Sequence, residues 1–483
     1  MPAKTLLNAA KLATATSMRR FCLPMIICCW LPAAATIPAA VAQPQPPADA
    51  QTSNILDDYV YGFAPVLMKA TRDLETAVPD NSSPGRAPIN QFAYRNTLAT
   101  PEDQAIVRPN ADTLYTSAWL DLLGEPIVLH VPDTAGRYYL IPMLDAYSNE
   151  FASVGSRTTG NGSGNYAIVG PDWKGPMPKD VSGVIRAPTN TAWLLGRTLV
   201  RGPTDIQDAA AVASQFLLIP LSAYAQYLRS GSYVPPHAVP VEPPNPNFDS
   251  QPLFSSPGFS SPVLFDFLLP YVLLNPPPPD QLRTATALVV DGFIHQNQVT
   301  ATVASDAAEQ FIATNRSAAT IENGWSVDFH IGSYGSNYLL RGATALVGFG
   351  ANIPDDAVYL NARDDVNGES LSGTRSYVIH FAPGQTPPEL GFWSITAYDS
   401  QGFLVANPIG RYSIGSETGL AANADGSIDI FLQAAQPTSE LSNWLPVPAG
   451  PFNLTLRVYW PDQSVLTGSW KPPAVTVAST ALP

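Results

Sequence analysis

The sequence predicts a mainly β protein with a helical connector, built as two antiparallel β-sandwich or jelly-roll-like domains. Three observations predict it. From about residue 105 to 200, apolar side chains alternate with period two between turn residues, as in "TLYTSAWLDL", "PIVLHV", "RYYLIPML", "NYAIV" and "TAWLLGRTLV". The same texture returns after residue 325 in "RSYVIHF", "GFWSITAYD", "SIDIFLQ" and "FNLTLRVYW". Between the two lies a stretch of helical spacing and clustered proline, with "NPPPPD" at its centre.

Taken in order, residues 1–42 carry Lys4, Lys11, Arg19 and Arg20, then the short apolar run "FCLPMIICCWLPAAA" and the small residues Ala40 and Ala42. That order is a secretory signal, with cleavage expected after Ala42. The run is shorter than the roughly 20 residues a membrane span needs and is broken by prolines. The mature chain is thus expected to be periplasmic or secreted, with no integral span. Residues 43–53 form a flexible leader. In the next segment Ile55, Tyr59, Phe63, Val66, Ala70 and Leu74 recur at helical spacing, Asn54 is a cap, and Pro65 should kink the helix. This helix and the first β domain occupy 54–200. A helical and proline-rich connector follows at 201–325, with helix expected over 205–229 and 280–320. The second β domain spans 326–475, leaving a tail at 476–483.

The three cysteines, Cys22, Cys28 and Cys29, lie inside the signal. A mature chain without cysteine has no disulfide, thiolate metal site or thiol chemistry, so it must rest on its core. Its length is ample for that. Removing the four basic residues of the signal from 25 leaves 21 against 39 acidic residues, a balance of −18. Such a surface repels nucleic acid and anionic lipid and suits neutral or cationic partners. The 49 prolines, roughly twice the usual share, suit many short strands.

Longer motifs carry a resemblance. "RPNADTLYTSAWLDL", "VPDTAGRYYLIPMLDAYSNEFASVGSRTTG" and "TNTAWLLGRTLV" resemble the bacterial domain of unknown function numbered 1254. "GSYGSNYLLR", "FWSITAYDSQGFLVANPIGRYSIG" and "NWLPVPAGPFNLTLRVYWP" resemble its usual C-terminal companion, numbered 1214. The resemblance spans roughly residues 53–475 and implies two β-sandwich domains with helices around them. No settled activity comes with it, so it assigns no catalytic residue.

Three polar clusters could carry chemistry. Arg108, Asn110, Asp112 and Tyr115 crowd the entry to a strand. They make a well-formed turn or converge on a polar ligand. Asp145, Tyr147, Asn149, Glu150 and Arg157 follow where another strand ends. There Asp145 is either an acid or base or the partner of Arg157 or Arg108. Trp393, Tyr398, Asp399 and Arg411 form the third. Alternation puts Trp393, Ile395 and Ala397 on one face and Ser394, Thr396 and Tyr398 on the other, with Arg411 available to Asp399. The stretches "GRYYLIPMLDAY" and "GFWSITAYDSQ" share a glycine, two large residues and an Asp beside Tyr, as related halves or chance would produce.

The five histidines have no ligand spacing, "DDVNGES" and "NADGSID" lack a full calcium-loop set, and there is no nucleophile elbow, phosphate loop or dinucleotide fingerprint. Neither metal nor cofactor is expected. Two function classes remain. One is a cleft binding a polar, carbohydrate-like small molecule or glycan, with Asp112, Asp145 and Asp399 as acids or bases for hydrolysis or elimination. The other is a non-catalytic envelope or scaffold protein. Self-association is left open by either.

Overall fold

Asn54 starts the first helix as its side chain predicts. Its Oδ1 accepts from the N–H groups of Leu56 and Asp57. Helix α1 (Ile55–Thr76) then runs on through Pro65. The structure, a computed structural model, describes residues 54–104, 107–238, 241–437 and 441–478. The expected signal with its cysteines and the leader at 43–53 lie outside these residues.

The described residues are mostly β: four sheets with antiparallel and parallel pairs, eight α-helices, and no closed barrel. The first β region contains β1 (Ala93–Tyr94), β2 (Thr113–Asp121), β3 (Ile127–Val131), β4 (Tyr139–Asp145), β5 (Glu150–Gly155), β6 (Gly164–Val169), β7 (Gly183–Arg186), β8 (Thr191–Leu199) and β9 (Leu217–Pro220). They form a five-stranded sheet, β1-β2-β8-β4-β5, and a four-stranded sheet, β7-β6-β3-β9. Helices α2 (Ile206–Ala213) and α3 (Leu221–Ser230) flank β9. The stretch 205–229, expected to be helix throughout, therefore holds a strand. "FLLIP" is a short apolar run that periodicity cannot assign, and pairing with β3 decides it. The expected boundary at residue 200 cuts this sheet before its last strand.

The connector contributes α4 (Val263–Leu274), α5 (Leu282–Ile294) and α6 (Ala301–Ala318), the last capped by Thr300. The helix expected over 280–320 is thus two helices, interrupted at 295–300. Next come the strands β10 (Thr320–Glu322) and β11 (Trp325–Val327). Helix α7 (Tyr338–Gly348), capped by Asn337, follows and was not expected from the pattern. The second β region holds β12 (Ala357–Ala362), β13 (Tyr377–Phe381), β14 (Glu389–Asp399), β15 (Ser413–Gly415), β16 (Ile428–Gln433), β17 (Trp444–Pro446), β18 (Phe452–Pro461) and β19 (Val475–Val477), with α8 (Gln463–Leu466) before β19. Its sheets run β10-β11-β12-β18-β14-β15 and β17-β16-β13-β19.

The two β regions repeat one topology. Strands β2 to β9 and β12 to β19 have the same order in the large sheet and the same order in the small one. Even the single parallel pair recurs, β6 with β7 and β16 with β17. The resemblance between "GRYYLIPMLD" and "GFWSITAYD" falls on β4 and β14, which hold equivalent places.

Three apolar clusters hold these layers. One joins both sheets of the first region through Leu120, Leu129, Ile141, Ile168 and Leu194, and another does the same in the second region through Ile379, Ile395, Ile430 and Leu456. The third packs α1 against α4, α5, α6 and α7, and against Trp119, Leu144 and Trp193 of the first large sheet. This helical layer covers only the first repeat. The rest of that sheet's outer face meets the second large sheet, where Tyr138, Leu140 and Leu199 pack on Ala357, Phe392 and Tyr459.

Candidate functional site

The third cluster leaves a hollow where α1, α7 and the proline-rich connector meet. This cavity has an empty volume of about 560 Å³, part of it open to solvent. Leu67, Leu74, Val107, Leu253, Phe254 and Phe349 make most of its wall apolar. Glu75, on the last turn of α1, is the only titratable side chain among the lining residues.

A polar relay within the sheet holds this carboxyl. Trp119 Nε1 donates to Glu75 Oε2 at 2.7 Å, and Ser117 Oγ reaches the same oxygen at 3.4 Å. Trp193 Nε1 in turn donates to Ser117 Oγ at 3.0 Å. The two indoles stack with centroids 5.0 Å apart and planes 3° from parallel, which fixes both N–H directions. Oε1 receives no hydrogen bond from any described residue. Burial pushes the Glu75 carboxyl up to about 7, against the opposing pull of the Trp119 and Ser117 donors and the Arg86 charge. An acid with that affinity changes charge at neutral pH, in an apolar wall, with one oxygen free.

The residues singled out from the sequence fall elsewhere and do not share one cavity. Arg108, Asn110, Asp112, Tyr115 and Tyr398 do come together, in the seam between the two large sheets. Arg108 Nη1 donates to Asn361 Oδ1 and Thr455 Oγ1, and burial lowers its guanidinium to about 10. Asn110 Nδ2 donates to the Tyr459 hydroxyl, and Asp112 accepts from Ser394 and Ser413. The Tyr398 hydroxyl donates to the Pro109 carbonyl and accepts from Arg457. Tyr115 lies beside Arg197, whose guanidinium is 5.7 Å from the ring centroid.

The second cluster divides, with Asp145 and Tyr147 toward the helices and Arg157 toward the start of β12. Asp145 Oδ1 accepts from the N–H groups of Tyr147 and Asn149, and burial raises its carboxyl. Tyr147 donates to the Asn275 carbonyl and flanks the buried Arg341 together with Tyr61 and Tyr338. Asn149 Oδ1 accepts from Tyr334 N. Arg157 pairs with Asp356 at 2.6 Å, not with Asp145. In the third cluster, Trp393 is buried in the second β core, and Asp399 Oδ1 accepts from the N–H groups of Gln401 and Phe403. Arg411 donates to the carbonyls of Leu441, Ser442 and Trp444, not to Asp399.

The repeat explains several of these positions. Asp145 and Asp399 close the same strand in the two halves, each bonding the backbone N–H groups two and four residues on. Asp112 and Asp356 both open the first strand of a large sheet, three residues before Tyr115 and Tyr359. On the central strands, Arg197 bonds Gly350 and Asn352 of the second half, while Arg457 bonds the Arg108 carbonyl of the first. Each half thus sends an arginine into the approach to the other's leading strand, as self-complementary surfaces do around a two-fold axis.

Sequence reasoning missed Glu75. Its signal was an acid continuing the buried series Leu67–Thr71 at four-residue spacing. The connector segment that supplies Gln251, Leu253 and Phe254 carried no signal of lining a site.

Comparisons with known proteins fit this architecture. Two family models, both described as protein of unknown function, match the chain: DUF1254 over residues 89–220 and DUF1214 over residues 356–463. The chain carries both domains. The DUF1254 region ends with β9 and contains the whole first repeat, and the DUF1214 region takes in β12 to β18. Among the cavity residues only Val107 lies inside either region. No curated protein matches. Among solved structures, the chain is similar to the VPA0106 protein from Vibrio parahaemolyticus, at 24% identity over 88% of this chain and 99% of that one, with a TM-score of 0.59. It is also similar to a putative uncharacterized protein from Burkholderia cenocepacia, at 13% identity over 99% and 96%, with a TM-score of 0.42. The first likeness concerns the fold alone. Among the described residues, no group of three or more His, Cys, Asp or Glu could hold a metal ion, and no helix is long and apolar enough to cross a membrane.

Proposed function

We propose that the protein binds a small, largely apolar molecule in the cavity between α1, α7 and the connector, with Glu75 as its one ionisable contact. One observation carries this reading: a carboxyl group, with one oxygen unbonded by any described residue, in the wall of a mostly apolar hollow whose other polar residues are Thr71 and Gln251. Mostly apolar concavities with a few placed polar groups are the usual form of a small-molecule site. The polar, carbohydrate-like ligand expected from Arg108, Asp112 and Tyr147 has less support, because those side chains divide between two regions and bond internal partners. Asp112, Asp145 and Asp399 likewise bond internal partners: Ser394 and Ser413, the Tyr147 and Asn149 N–H groups, and the Gln401 and Phe403 N–H groups. The scaffold alternative fits the seam but leaves the cavity without a purpose. We also infer that the sheets pair as two β-sandwiches, and that the N-terminal pattern exports the chain.

The test is calorimetric titration of the protein with 1-hexanol, alongside an Ala345→Trp variant that fills the cavity. Binding by the parent, lost in the filled variant while its circular dichroism is unchanged, supports the site. Heats equal to those of dilution for the parent, or equal binding by both proteins, refute it.

A further inference from the structure

We infer that the ligand of this cavity is a small lipophilic amine, bound as its ammonium ion to Glu75 Oε1. The inference rests on the cavity being a binding site and adds the chemistry of the head group. Three observations on the cavity and one on the whole chain agree with it. Oε1 has no donor among the described residues, and an ammonium supplies charge-assisted N–H donors that fit a carboxylate oxygen. No cationic side chain lines the cavity, so a ligand carboxylate would meet Glu75 without any compensating charge. Phe254 and Phe349 present aromatic rings in the wall, and their faces attract a cation. The chain has a formal net charge of −14, which draws cations toward its surface.

The groups facing Glu75 are few. Ser117 and Trp119 of β2 are neutral donors, and Arg86 is the one charged group acting on it. Arg86 also bonds the Leu74 carbonyl. The wall contributed by α7 and residues 251–254 carries no titratable side chain. An arriving ammonium therefore supplies the counter-charge that favours ionisation of this half-buried carboxyl, and the carboxyl gives its proton to solvent. Below neutral pH binding should release a proton. Well above it, where the carboxyl is already ionised, none should be released.

The experiment compares hexylamine, 1-hexanol and hexanoate by calorimetry, at pH 6 and pH 9, in buffers of different ionisation enthalpy. The inference expects hexylamine to bind about tenfold more tightly than hexanol at pH 9. It also expects close to one proton to be released per hexylamine at pH 6 and none at pH 9. Glu75→Gln should abolish the amine preference and leave hexanol binding in place. The proton count uses the unaltered protein, so the test stands even where that variant folds poorly. Hexanol binding as tightly as hexylamine, hexanoate binding most tightly, or amine binding without proton release at pH 6 would each overturn the amine while keeping the cavity as a site. Failure of all three molecules to bind overturns both readings.

Discussion

Two regions of the molecule bury charge, and they do so differently. In the seam between the large sheets, Arg457 is only 3% exposed and Arg197 only 6%. Both are wrapped by donated bonds. Arg457 reaches Thr396, Tyr398 and the Arg108 carbonyl, and Arg197 reaches Leu195, Gly350 and Asn352. At the end of α1, a single carboxyl is held by one oxygen, and the other faces a hollow. A buried charge wrapped by several bonds to both halves fixes the arrangement of two surfaces. One left incomplete beside a void has capacity for a ligand. The seam is built from equivalent positions of the two repeats, whereas the cavity depends on helices that cover only the first.

Substitutions can break or sharpen this contrast. The largest effect is expected at the seam. Arg457→Met strands Thr396, Tyr398 and the Arg108 carbonyl without their donor, and should lower stability by about 3–5 kcal/mol. Urea unfolding at pH 7 measures it, and a loss below about 1 kcal/mol would remove the seam's structural role.

Glu75→Gln should act chiefly on pH dependence. Because its folded-state affinity is raised, the native protein holds this proton from about pH 4.5 to about pH 7 while the unfolded chain has released it. Stability from this group is therefore present at low pH and lost as pH rises through that window. The carboxyl keeps some access through the cavity, so the difference between pH 5 and pH 8 should shrink by about 2 kcal/mol in the variant. Unfolding curves at both pH values for both proteins check the sign and the size.

Trp119→Phe removes the nearer donor to Glu75. It should cost about 1–2 kcal/mol, as a hydrogen bond to an ionisable group does, and push the Glu75 titration further upward. Carboxyl carbon shifts followed by NMR across pH 5–9 read the second effect. A downward movement would mean that the indole does not stabilise the ionised form. Smallest of all, Arg411→Ala should lower stability by no more than about 1 kcal/mol in urea unfolding, because it is half-exposed and its partners are neutral carbonyls. A larger loss would make this arginine part of the second domain's support.

Much of the fold was legible in residue order. Period-two alternation marked β2, β3, β4, β8, β13, β14, β16 and β18, and it placed Trp393 and Tyr398 on opposite faces of one strand. Asn54 marked the start of α1. Short apolar runs were harder. Strand β9 and helix α7 depend on what packs against them, since a few apolar residues suit either conformation. The polar clusters were visible as polar, but their partners were not. Asp399 begins a turn as its place predicts, but Arg411 bonds carbonyls instead of it, and Arg157 bridges to Asp356, nearly two hundred residues away.

The sequence alone determined which segments could be strands or helices, that two strand-rich regions flank a helical one, and which turns needed an aspartate. Those are local matters, governed by side-chain period and by hydrogen bonds within a few residues. Only the tertiary structure decided that the two large sheets meet through paired arginines and that Glu75 faces an apolar hollow. A side chain's electrostatic surroundings come from residues distant in the chain: Trp119, Phe254 and Phe349 converge around α1 only once the layers have packed.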